Sequence, residues 1–168
     1  MTCPSRGEHR ARRLRDQPQP RDVEAVAALL RKTGFFTDAE VDVARELVET
    51  ALAQGPRAGY TFFLADGAEA LEGYVCFGPV PAAPGRFDLY WIAVDPGLQR
   101  SGIGRCLLAA AERAVVALQG SRIYIETSAR RDYAPTRRFY EACGYSVAAR
   151  LPDFYADGDD KLVYVKVL

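Results

Sequence analysis

Histidine is almost missing from this chain: His9 is the only one, and it lies in a polar N-terminal end. Ser-His and Cys-His catalysis therefore have no well-placed imidazole to work with. Cysteine is sparse too, at Cys3, Cys76, Cys106 and Cys143, with no CxxC pair. Scattered thiols, three of them in largely apolar segments, read as reduced and mostly buried; they suggest neither a disulfide frame nor a zinc site, so no metal is expected. Charge of either sign has no surplus, with 22 basic and 22 acidic residues. That balance removes any global pull toward nucleic acid or a membrane surface. No apolar run approaches membrane-spanning length, and no hydrophobic signal core is visible at the N-terminus. The expectation is a soluble, cytoplasmic protein.

What is present suits a globular core. The 168 residues are 49% hydrophobic, enough for one domain over residues 1–168 with Met1–His9 as a loose end. Arg10–Arg15 reads as a charged edge strand, or alternatively as a basic interaction arm. Asp22 is placed to cap a helix through about Lys32, with Val23, Val26, Ala27 and Leu30 on one face, which Gly34 ends. Asp38 opens a second helix carrying Val41, Ala44, Leu47, Val48 and Leu52 at helical spacing, stopped by Gly55-Pro56. Strands are expected at Tyr60–Ala65, Leu71–Phe77 and Phe87–Val94. A helix to about Leu118 follows, then a strand over Arg122–Thr127 and a short helix over Pro135–Cys143. Gly144–Ala149 and Lys161–Val167 read as the last strands, joined by a loop over Pro152–Asp160. The order β-α-α-β-β-β-α-β-α-β-β implies a mixed sheet with helices on its faces, α+β to α/β in class.

Between the strand ending at Val94 and the following helix lies Gln99-Arg100-Ser101-Gly102-Ile103-Gly104. Glycines at a helix start let backbone N–H groups close on a phosphate. A dinucleotide fingerprint needs a third glycine where Leu107 stands, and a P-loop needs Lys-Ser/Thr where Arg105-Cys106 stands. The string instead resembles the Q/R-x-x-G-x-G/A loop of the GNAT family of N-acetyltransferases. The resemblance runs from about Arg10 to Leu168. It includes Leu89–Val94 with Asp95-Pro96, and Arg138-Phe139-Tyr140-Glu141-Ala142-Cys143-Gly144-Tyr145, which is similar to the family's FYExxGF segment.

That resemblance implies a mostly antiparallel sheet of about seven strands with a central splay and helices on both faces. It also implies acetyl-CoA as donor cosubstrate. Ile92, Ala93 and Val94 would pair with the pantetheine, while Gln99, Arg100, Ser101, Gly102, Ile103, Gly104 and Arg105 would hold the pyrophosphate. Tyr140 matches the tyrosine that protonates the departing sulfur, and a phenol of pKa about 10 is still protonated at neutral pH.

Attack on a thioester needs a neutral amine, which costs about 4.6 kcal/mol at pH 7 for a lysine-type group and about 1 kcal/mol for an α-amine. A general base is therefore wanted. Glu126 is the first candidate, because Ile123-Tyr124-Ile125-Glu126 resembles the family's strand ending L-E-V; Asp88 is in reserve. Tyr90, Phe154 and Tyr155 are expected to line the acceptor groove, with Asp157, Asp159 and Asp160 favouring a cationic amine. One departure stands out: the family's asparagine ahead of the helix tyrosine is absent, with Tyr133 near its place. The reading is direct transfer of an acetyl group to a peptide, protein or small-molecule amine by a monomer or homodimer. The alternatives are a non-catalytic acyl-CoA-binding module and a nucleotide-binding loop.

Overall fold

The structure is a computed structural model that describes Thr2, Cys3 and residues 12–168. Thr2–Cys3 form the short strand β1, paired antiparallel with β2 (Arg12–Arg15). The charged strand expected at Arg10–Arg15 is thus present from Arg12 and has a neighbour on each side. Arg10 and Ala11 fall outside the described residues, as do Met1 and residues 4–9 of the expected loose end, whereas Thr2–Cys3 of that end are strand instead. The chain divides into two compact units, Met1–Gly78 with Trp91–Arg113, and Pro79–Tyr90 with Ala114–Leu168.

In the first unit, β1 and β2 continue through β3 (Thr61–Asp66) to β4 (Leu71–Pro79). Helices α1 (Asp22–Thr33) and α2 (Asp38–Gln54) bring Val26, Leu30, Val41, Ala44 and Val48 against Phe62, Leu64, Tyr74 and Cys76, forming one apolar cluster. The apolar spacing of both helices predicted those faces, except that Leu52, in the last turn of α2, is exposed. Helix α2 starts with a capping box: Thr37 and Glu40 each satisfy the other's backbone N–H.

Helix α1 starts differently from expectation. Arg21 is its N-cap, without a side-chain bond, and Asp22 is the first helical residue. Asp22 is buried, accepting from the Gln19 N–H at 2.6 Å and from both terminal nitrogens of Arg15 at 2.6 and 2.9 Å. Arg15 also reaches Asp66 at 2.9 Å through two bonds. One guanidinium from β2 therefore ties the start of α1 to the end of β3.

The second unit is built on β6 (Arg122–Ser128). It pairs in parallel with β5 (Arg86–Val94) from Arg86↔Arg122 to Leu89↔Ile125, and antiparallel with β8 (Asp159–Val167). β7 (Ser146–Ala156) lies on the other side of β8. Here the sequence reading is corrected. The Pro152–Asp160 segment is largely strand, with the chain reversing at Asp157-Gly158. Bulges between Val147 and Ala149 and between Leu151 and Ala156 let Pro152 and Asp153 sit in it.

α4 (Ala134–Ala142) precedes β7, and the Ala114–Ala117 end of α3 (Ile103–Ala117) also belongs to this unit. Gly120 is required there: a Cβ on it would come within 2.3 Å of Val115 and 2.7 Å of the Phe87 ring. Within each unit the described strand pairs are antiparallel except β5–β6, so the architecture is the expected mixed α/β fold. Among the described residues no helix is long and apolar enough to cross a membrane.

A second correction concerns the thiols. Cys106 is disulfide-bonded, while Cys76 and Cys143 keep reduced thiols, as expected of all four. Disulfide partners are chosen by proximity in the fold, and sequence spacing does not encode that.

Candidate active site

The glycine loop lies in the first unit. Ile92, Ala93 and Val94 end β5, and Asp95 then turns the chain, its N–H bonded to the Glu72 carbonyl at 2.8 Å. The Asp95 carboxylate caps the following turn by accepting from the Gly97 N–H at 2.9 Å and takes an ion pair from Lys32 at 2.6 Å. Those two contacts, the Lys32 bond foremost, hold its carboxyl below the usual range. The turn is thereby fixed at both ends before the loop begins.

Arg100 and Gly102 take left-handed backbone angles, with φ of 64° and 91°. The Ser101 N–H between them donates to the Leu98 carbonyl at 3.3 Å, so the N–H groups left for an anion are those at the start of α3. The first bond of α3 runs from the Cys106 N–H to the Gly102 carbonyl at 3.0 Å. The N–H groups of Ile103, Gly104 and Arg105 therefore have no partner along the helix, and they carry the positive end of its dipole. The Ser101 Oγ is buried with no hydrogen-bond partner, although buried hydroxyls ordinarily find one. A phosphate oxygen would satisfy both the hydroxyl and the N–H groups, so these residues fit a pyrophosphate-bearing cosubstrate. Gln99, Arg100 and Arg105 are exposed around the loop.

Gly73 on β4 fits this arrangement closely. A Cβ there would meet the Ala93 carbonyl oxygen at 2.9 Å and Ile103 and Leu107 at 3.1 Å. Only glycine lets β4 approach both the end of β5 and the first turns of α3.

The other expected residues lie in the second unit. Tyr140 on α4 is buried among aromatic rings, with centroids of Phe139, Tyr164 and Tyr145 at 5.6, 5.8 and 6.2 Å. Burial first, then Tyr133 and Cys143, push its hydroxyl well above an ordinary phenol. Tyr164 donates to Glu141 at 2.9 Å and is pushed up to about 12 by burial and that bond. Gly144, at φ 87°, reverses the chain after α4, and Lys166 donates to the Cys143 carbonyl at 2.8 Å. Together they close the helix end that presents Tyr140.

Glu126 lies on β6 with its carboxylate bonded to the Lys161 ammonium at 2.7 Å. Asp88, opposite Tyr124 on the parallel strand, is half-buried; burial first and the Glu126 charge second raise its carboxyl. Tyr90 is exposed near the end of the same stretch. Phe154 and Tyr155 stand edge to face with centroids 5.1 Å apart, and the Lys161 ammonium sits 3.6 Å from the Phe154 centroid. Sequence reasoning missed Lys161. The available signal was a lysine opening an otherwise apolar strand, Lys161-Leu162-Val163-Tyr164-Val165.

The expected role of the hairpin carboxylates is also revised. Asp159 is engaged by Ser128 Oγ and by Arg130 at 3.4 Å. Asp160 is engaged by Arg150 and by the Asp153 N–H at 2.9 Å. Both carboxylates hold the hairpin together and are matched within the chain, leaving Asp157 of the three.

The acetyltransferase (GNAT) family model matches residues 23–145. A GNAT-family protein from Desulfovibrio desulfuricans is 47% identical, with a TM-score of 0.91 over 94% of this chain and 99% of that one. An aminoglycoside 6'-N-acetyltransferase complexed with coenzyme A shares the fold at 18% identity, with a TM-score of 0.72 over 92% of this chain and 96% of that one. The ribosomal-protein-S18-alanine N-acetyltransferase from Escherichia coli does so at 19% identity and a TM-score of 0.72, over 92% of each chain. No curated protein matches the chain. Since the family model covers well over half of the sequence and a GNAT relative is 47% identical over 94% of it, the chain belongs to the GNAT family of acetyltransferases.

Proposed function

We propose that this protein transfers an acetyl group directly from acetyl-CoA to a primary amine, with Tyr140 as general acid and Glu126 as general base. Acetyl-CoA supplies an activated thioester; the chain's residues bind it, free the amine of a proton and return one to the sulfur. The observation that carries the reading is the loop at Arg100–Arg105. Its buried Ser101 hydroxyl lacks a protein partner and its helix-start N–H groups lack partners along the helix. The dipole contributes up to about 2 kcal/mol, whereas micromolar affinity needs roughly 8 kcal/mol. Several N–H bonds and the pantetheine amides must supply the rest. The β5–β6 ladder ends at Leu89, and Ile92–Val94 lie beyond it, which supports strand-like pairing of the pantetheine with that backbone.

Burial keeps the Tyr140 phenol protonated at any working pH, as a proton donor to a departing thiolate must be. Glu126 is tethered by Lys161 yet still reaches solvent, so it can pass a proton outward. Asp88, with its raised carboxyl, is the second proton acceptor on this face. The test is thiol release from acetyl-CoA over a panel of amines: a peptide N-terminus, a lysine side chain, a polyamine and an aminoglycoside. Amine-dependent release is expected. Stabilisation by acetyl-CoA without release across the whole panel would sink the reading.

A further inference from the structure

Lys161 occupies an unusual place. Its residue is only 9% exposed, and its ammonium lies 2.7 Å from the Glu126 carboxylate, 3.6 Å from the Phe154 centroid and 5.8 Å from that of Tyr155. One carboxylate and two aromatic faces are the means by which proteins hold an alkylammonium. These are the same rings that the sequence assigns to the acceptor. The cage is built for a cation, and the chain supplies that cation itself.

We propose that Lys161 is a specificity-determining residue: by filling the Glu126–Phe154–Tyr155 cage with its own ammonium, it withholds that cage from amines that carry a second positive charge beside the reacting one. The proposal rests on the reading of Glu126 as the base of the transfer. Backbone register holds Lys161 in place, since it pairs with Ser128 on β6 and Leu151 on β7. An acceptor with one amine meets the Glu126 side of this pair and suffers no penalty. An acceptor with a second ammonium nearby meets the Lys161 charge and finds no unmatched carboxylate in the cage. Asp159 and Asp160, the next carboxylates along β8, are already engaged by Arg130 and Arg150. Paired with Glu126, Lys161 leaves the cage with little net charge; removing its ammonium would leave one unmatched unit charge, worth roughly tenfold at about 6 Å with intermediate screening.

The test uses matched amines of similar size, alaninamide against lysinamide and hexylamine against cadaverine, with kcat/KM read from thiol release. The parent is expected to show no preference for the doubly charged member. Lys161→Gln, with Glu126 unmatched, is expected to shift the ratio toward it by about tenfold, while Lys161→Arg keeps the parent ratio. A parent that prefers the diamines, or a ratio unchanged in Lys161→Gln, overturns the proposal. Lys161→Met, which preserves the apolar stem, serves if the glutamine variant does not fold. Should no amine release thiol, the transfer reading fails instead, and a binding arm still decides the cage. Tetramethylammonium is titrated while the ring signals of Phe154 and Tyr155 are followed by NMR. A response in the neutral variant alone supports the internal occupant; an equal response in both proteins, or none in either, refutes it.

Discussion

Gly73→Ala is the sharpest probe of how the donor strand is held. The added methyl would sit 2.9 Å from the Ala93 carbonyl oxygen and 3.1 Å from side-chain atoms of Ile103 and Leu107. The nearest obstacle is backbone, which cannot rotate aside, so β5 or the start of α3 must shift. Overpacking of this kind costs about 1–3 kcal/mol. In a protein of this size that lowers Tm by about 2–12 °C. Both displaced elements carry expected donor contacts, Ala93 on one and Ile103 on the other. If half of a roughly 2 kcal/mol strain falls on the binding-competent conformation, acetyl-CoA affinity drops about fivefold. Thermal denaturation and isothermal titration with acetyl-CoA measure the two effects separately. A variant with parental Tm and parental affinity would show that β4 and β5 part freely, and the close-approach reasoning would be wrong.

Further outcomes follow from the second unit and the charge clamp. Tyr140→Phe should lower turnover with little change in acetyl-CoA affinity, since only a proton is lost; unchanged thiol release removes Tyr140 from the acid role. Glu126→Gln should depress activity most near neutral pH and least at high pH, where the amine is already neutral; superimposable pH–rate curves for mutant and parent argue against the base. Arg15 holds the Asp66 carboxyl below its usual range, so its stabilising contribution is complete above about pH 4 and is lost as pH falls through the lowered folded value. Solvent and salt screen part of it, because the Asp66 side chain is 37% exposed. The stability gap between parent and Asp66→Asn should close on acidification, and a pH-independent gap counts against the clamp.

Much of this architecture was legible because periodicity and turn residues agree with burial. The apolar stripe Val41, Ala44 and Val48 announced a core-facing helix, and all three side chains are buried. The GNAT landmarks placed the loop and Tyr140 on the right elements. What stayed hidden depends on register and on distance in space. Lys161 meets Glu126 because Ser128 pairs with Lys161 across two strands far apart in sequence, and no local pattern encodes that alignment. Asp22 looked like a cap, yet the arginine seven residues before it and the fold around both draw its carboxylate inward. Pro152 and a run of acidic residues suggested a loop, but Asp153 adopts φ 52° inside a bulged strand instead.

That bulged strand has a consequence for the protein in a crowded solution. Every residue of β7 is exposed, including Val147, Leu151, Phe154 and Tyr155. A straight strand with that composition would invite another chain to add on and seed aggregation. Proline at 152 supplies no N–H for such pairing, the left-handed Asp153 breaks the repeat, and Arg150 leaves a charge on the strand. The irregularity that hid the hairpin from sequence reading thus acts as insulation, leaving an apolar surface open to an acceptor while blocking the strand-on-strand addition that would seed aggregation.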